Sequence, residues 1–86
     1  DLVLYDEPTT GLDPMLSYQI ENLIVKLNRE LSITSIVVTH QLTTIFRTID
    51  KVYYLKDAHL IGPEDPNQLK NSRYKVMKEF VNYGLI

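Results

Sequence analysis

Cysteine is absent from the 86 residues, which excludes disulfides and thiolate metal sites. No run approaches the roughly 18 consecutive apolar residues that a membrane-crossing helix needs. An excess of one charge is lacking too. Nine Lys and Arg against eleven Asp and Glu leave a formal net charge of −2, which gives no support to a nucleic-acid surface. Asp1, Asp6 and Glu7 come before any long apolar stretch, so the opening residues do not read as a signal peptide. Neither an internal repeat nor a low-complexity linker interrupts the chain. What is present is globular material: 44% hydrophobic residues argue against wholesale disorder. The length suits one small domain or a piece of a larger one, and residue 1 is not Met, which fits a piece.

The pattern along the chain alternates strands and helices. Leu2 to Tyr5 is a short, continuous apolar run and predicts a buried strand. Pro8, Gly11 and Pro14 punctuate a loop, and Asp13-Pro14 supplies an N-cap followed by proline at the first helical position. From there Leu16, Ile20, Leu23, Ile24, Leu27 and Leu31 recur at helical spacing as a core stripe, with Gln19, Asn22, Lys26, Arg29 and Glu30 off it. Ser35 to Thr39 predicts a second buried strand, rich in β-branched residues, with His40 at its end. Leu42, Ile45, Phe46 and Ile49 predict a short amphipathic helix. Val52 to Lys56 and His59 to Ile61 predict a hairpin around Asp57-Ala58, where Ala is an unusual turn residue. Gly62 to Pro66 breaks the pattern, and Val76, Met77, Phe80 and Val81 mark a last amphipathic helix within residues 72–83.

This order predicts an α/β fold: a right-handed parallel βαβ unit with an appended hairpin and C-terminal helix. Strands apolar on both faces want helices on both sides, and two parallel strands leave edges that need neighbours. The chain has too few helices for that, so residues 1–86 are expected to be the C-terminal part of a larger α/β domain.

Ligands of open α/β sheets gather beyond the carboxyl ends of the strands. Asp6, Glu7 and His40 all fall at such ends. Two adjacent carboxylates are costly to remove from water unless something pairs with them. One can hold a water of a magnesium shell, since magnesium keeps several waters and takes few protein ligands. The other can polarise an attacking water as a general base. A histidine nearby can donate a hydrogen bond to a phosphate oxygen. His59, in the hairpin, is assigned no role, and Tyr53 and Tyr54 are expected to be strand packing.

Around these residues run LVLYDEP, then TTGLDP, then VVTHQL. In this order and spacing they resemble the Walker B strand, the D-loop and the H-loop of ABC-type ATPases. A DE pair alone would be weak evidence; DEPTTGLDP followed by a strand ending in TH is far more specific. The resemblance covers the whole chain, because LKDAHLIGPEDPNQL is similar to the hairpin and helix start that close such domains. It implies the C-terminal part of a P-loop NTPase domain. By resemblance, Asp6 would hold Mg²⁺ through water, Glu7 would be the general base for water attacking the γ-phosphate of ATP, and His40 would contact that phosphate and sense its loss. Gly11, Leu12 and Asp13 would lie in the D-loop along a dimer interface, where Asp13 fits an N-cap equally well. The implied partners are a second ATPase subunit, arranged head to tail, and a membrane permease subunit. Such a protein sits in the cytoplasm, peripheral on the inner face of a membrane through the permease. The NRELSITSIVVTH run and the tail look most like the ATPases of MCE-type systems, which energise phospholipid transport between membranes.

Gln41 stands where an acid commonly follows the switch histidine, Tyr5 where an aliphatic residue or Phe precedes the Asp, and Ala58 and Glu64 where the family often has glycine. More consequential, no G-x-x-x-x-G-K-[ST] and no LSGGQ-like signature occur in the 86 residues. The chain alone is therefore expected to be inactive. Two other functions fit the same motifs: a soluble ABC-type ATPase acting on nucleic acid or ribosomes, and a non-catalytic remnant that only associates with other subunits.

Overall fold

The computed structural model describes residues 1–84, which form two compact units divided between Thr48 and Ile49. In the first, β1 (Leu2–Asp6) and β2 (Thr34–Val38) pair in parallel, joined through α1 (Pro14–Leu31), and α2 (Leu42–Thr48) follows. The second carries the antiparallel pair β3 (Val52–Lys56) and β4 (His59–Glu64), a 3₁₀ helix over Pro66–Asn71 and α3 (Lys75–Gly84). The expected α/β order is present.

Helix α1 begins where the sequence marks it. Asp13 is extended, its Oδ1 accepts from the Leu16 N–H at 2.8 Å, and Pro14 opens the first turn. The helix stops at Ser32, which adopts the left-handed region at φ 50°. The stripe expected as core is only partly so. Ile24 is buried, Ile20 and Leu27 are not fully covered, and Leu16, Leu23 and Leu31 are exposed. Gln19, Asn22, Lys26, Arg29 and Glu30 lie off the buried side of the helix, as expected.

The two parallel strands also depart from full burial. Val3, Tyr5, Ser35 and Val37 are half-buried, whereas Leu2, Leu4, Ile36 and Val38 on the other face are 64, 65, 49 and 50% exposed. Among the described residues, one face of the strand pair is thus partly covered and the other is exposed. In α2, Ile45 is buried as expected, but so is Thr44, while Phe46 is exposed; Ile49 lies beyond the helix.

In the second unit the hairpin turns at Asp57 and Ala58, with φ of 51° and 62°. Both residues occupy the left-handed region that the tightest hairpin turns demand, so Ala58 carries the strain that its side chain implied. Strand β4 runs to Glu64 rather than ending at Ile61. Gly62 permits this: its φ is +135°, and a Cβ there would lie 2.7 Å from the Val52 carbonyl oxygen, beside the irregular pairing between Val52 and Tyr54. Gly62→Ala is expected to cost about 1–2 kcal/mol, read as a lower urea midpoint, because both the dihedral and the space exclude a methyl group. The predicted last helix is present as α3. Met77 and Val81 are buried with Leu69, and Phe80 meets Tyr54 edge to face at 5.8 Å, whereas Tyr53 is half exposed. The 3₁₀ helix, opened by Asp65 and Pro66, has no counterpart in the hydrophobic periodicity of the sequence.

Candidate functional site

Asp6 and Val38 are the last paired residues of β1 and β2. Directly after them the Glu7 N–H donates to the Val38 carbonyl at 2.7 Å, which prolongs the ladder by one bond. Glu7 itself has φ 47°, a left-handed value uncommon for a residue with a side chain. The chain therefore turns sharply at Glu7, and the carboxylate is aimed across the strand ends.

Its surroundings combine one local residue, Thr10, with two that lie far along the chain, Thr39 and His40. Glu7 Oε1 lies 2.8 Å from His40 Nδ1, while Oε2 accepts from the Thr10 hydroxyl at 2.9 Å and from the Thr39 hydroxyl at 3.3 Å. An ionised carboxylate only accepts, so Nδ1 donates to it and Nε2 is left for another partner. The His40 side chain is 71% exposed and that of Glu7 31%, so the pair is open to an incoming molecule.

The hydrogen bond from His40 is the main cause that holds the Glu7 carboxyl below its ordinary value of 4.5. Partial burial pulls the other way, and Thr10, the charge of His40 and Thr39 add smaller lowering effects. A carboxyl with a depressed folded pKa stabilises the fold fully above its unfolded value, and that contribution fades as pH falls through the folded one. The window here lies below about pH 4.5. In His40→Ala the Glu7 pKa is expected to rise toward the ordinary value, visible in a ¹³C carboxyl titration; an unmoved curve would show that His40 is not its dominant partner.

Asp6 is exposed, and among the described residues its carboxylate makes no side-chain hydrogen bond. No group of three or more His, Cys, Asp or Glu residues among those described could hold a metal directly. One free carboxylate at an open strand end suits an ion that keeps most of its water, as magnesium does, and does not suit a fully protein-ligated metal. Gly11 is exposed with φ +82°, and a Cβ at that position would meet nothing within 4 Å; Leu12 is half-buried, and Asp13 serves as the cap of α1.

A second polar group lies beside this site, without a signal in the motifs. Thr9, Glu21 and Thr44 are buried at 1, 1 and 0% exposure. Thr44 Oγ1 donates to Glu21 Oε2 at 2.6 Å, Thr9 Oγ1 is 2.9 Å from Thr44 Oγ1 and 3.1 Å from Gln41 Oε1, and Arg47 Nη1 donates to Glu21 Oε1 at 2.8 Å. The Arg47 guanidinium also lies 5.0 Å from the ring centre of Tyr18. Helical spacing could have pointed to Glu21, since it is three residues before the buried Ile24 and shares its face.

Comparison with known proteins agrees with this architecture. No family model matches the chain. Its homologues at 29–38% identity are ABC transporter ATP-binding proteins, and the α/β fold agrees with the C-terminal part of an ABC ATPase domain. The chain is 31% identical to ABC transporter I family member 17 of Arabidopsis thaliana, over 94% of its own length and 31% of the relative's. It is 38% identical to the ATP-binding protein of an intermembrane phospholipid transport system of Haemophilus influenzae, over 85% of its own length and 28% of the relative's. It is also 38% identical to an energy-coupling factor transporter ATP-binding protein of Staphylococcus saprophyticus, over 80% of its own length and 24% of the relative's. The chain thus spans about a quarter to a third of these curated relatives.

Proposed function

We propose that this chain is the C-terminal part of an ABC transporter ATPase subunit that hydrolyses MgATP to drive membrane transport. The observation that carries the reading is the 2.8 Å contact between Glu7 and His40, 33 residues apart, at the ends of two parallel strands. In it, Glu7 takes a proton from the water that attacks the γ-phosphate, so that the P–O bond to ADP breaks as the bond to that water forms. His40 donates to the γ-phosphate; to donate to Glu7 at the same time its ring must carry both protons. Asp6 would hold a water of the Mg²⁺ shell, and the ion would supply charge that offsets the phosphates. Gly11, Leu12 and Asp13 form the D-loop that faces a second ATPase subunit. The partner is a membrane permease subunit, which holds the protein at the cytoplasmic face of the membrane; among the described residues no helix is long and apolar enough to cross one.

Phospholipid is the cargo suggested by the likeness to the Haemophilus influenzae protein. Copurification of the full-length polypeptide with a permease, followed by transport assays with phospholipid, tests that finer reading. The ATPase reading predicts that the full-length polypeptide turns over MgATP. It also predicts that the 86-residue chain alone neither binds ATP tightly nor hydrolyses it, because its sequence has no phosphate-cradling loop. Measurable turnover by the 86 residues alone would refute this assignment of parts.

A further inference from the structure

The buried carboxylate of Glu21 takes no part in the chemistry proposed above, yet it anchors a chain of hydrogen bonds that leads back to the site. The direction of that chain follows from the proton count. Thr44 has one hydroxyl proton, and the short contact to the Glu21 carboxylate at 2.6 Å takes it. Thr44 must then accept from Thr9, whose own single proton is shared between Thr44 and Gln41. Thr9 sits two residues after Glu7, in the same turn as Thr10, which holds Glu7 Oε2; Gln41 directly follows His40. The buried network therefore ties the loop behind the carboxylate to the segment that carries the histidine. Arg47 fixes the other end by pairing with Glu21 Oε1.

From this arrangement we infer that Glu21 and Thr44 are positioning residues, which set the geometry of Glu7 against His40 through Thr9 and Gln41. The inference rests on the reading of Glu7 as general base. Fully satisfied buried networks of this kind rigidify what they join, and misplacing a reacting group by about 1 Å can cost about a hundredfold in rate.

The test uses the full-length polypeptide. Thr44→Val keeps the shape of the side chain and cuts the link between Thr9 and Glu21; Thr44→Ser keeps the hydroxyl. At neutral pH without nucleotide, the Glu7 ¹³Cδ and His40 ¹⁵N resonances are expected to move in Thr44→Val and to return in Thr44→Ser. With ATP, kcat is expected to fall about ten- to hundredfold in the valine variant with KM unchanged, and to recover in the serine variant. Thr44→Ala removes the same hydroxyl with less bulk and replaces the valine variant should that one not fold. Unmoved resonances, or an unchanged kcat in a folded variant, overturn the inference. The resonance measurement needs no turnover. Wild-type turnover by Glu7→Gln would reject the general-base reading separately.

Discussion

Replacing Glu7 by Gln in the full-length polypeptide is expected to lower ATP turnover about 10²- to 10⁴-fold while MgATP binding persists, since a positioned general base contributes in that range. The amide keeps the volume of the side chain and can still accept from Thr10 or His40, so the loop retains its shape. What it lacks is the ability to take a proton from water. On the proposed reading, single-turnover chemistry is expected to slow while nucleotide affinity is retained. Equilibrium binding of a fluorescent nucleotide and phosphate release by the same preparation separate the two effects. Turnover at the wild-type rate would remove Glu7 from its role. Loss of binding together with turnover would point instead to a collapsed loop.

Arg47→Ala is expected to have the largest effect on stability, about 2–4 kcal/mol. The reason is an asymmetry. Glu21 is 1% exposed on its side chain, and Arg47 is the charge that offsets it, although Arg47 itself is 47% exposed. Without the guanidinium, Thr44 is the one remaining side-chain partner seen for the carboxylate among the described residues, and a buried unpaired charge is far costlier than an unmade surface pair. The half-exposed position of Arg47 lets water replace part of what it provides, which holds the loss below that of a fully enclosed pair. Urea unfolding of the full-length polypeptide measures this. Replacing both residues, as Glu21→Met with Arg47→Met, is expected to cost less than Arg47→Ala alone, because it removes the buried charge together with its partner. A double variant less stable than Arg47→Ala would mean that the ion pair itself, rather than the cost of an orphaned carboxylate, dominates.

Much of the fold was legible in the residues because its signals are local. Asp13-Pro14 marked the start of α1, and the spacing of Met77 and Val81 marked the buried side of α3. The residues at Asp57-Ala58 announced a turn, although not that β4 would continue past Gly62. That continuation depends on Val52 and Tyr53 passing where a Cβ of residue 62 would stand, which is a contact between strands and not a property of either. The core was less legible. A stripe at helical spacing states which residues could be covered, while the number of neighbouring layers settles how many are, and Leu16, Leu23 and Leu31 stay exposed within the described residues.

The same division runs through the site. Order along the chain was enough to set Asp6, Glu7 and His40 at the ends of two strands, since the short apolar and β-branched runs stop at those residues. It was not enough to reveal that Thr39 shares the Glu7 carboxylate with His40, or that Glu21 lies buried against Thr44 and Arg47. Those facts appear once β2 returns beside β1 and α2 packs near α1. Hydrogen bonds between side chains 23 to 33 positions apart leave no periodic trace, because they depend on where the backbone brings the partners and not on what flanks each of them.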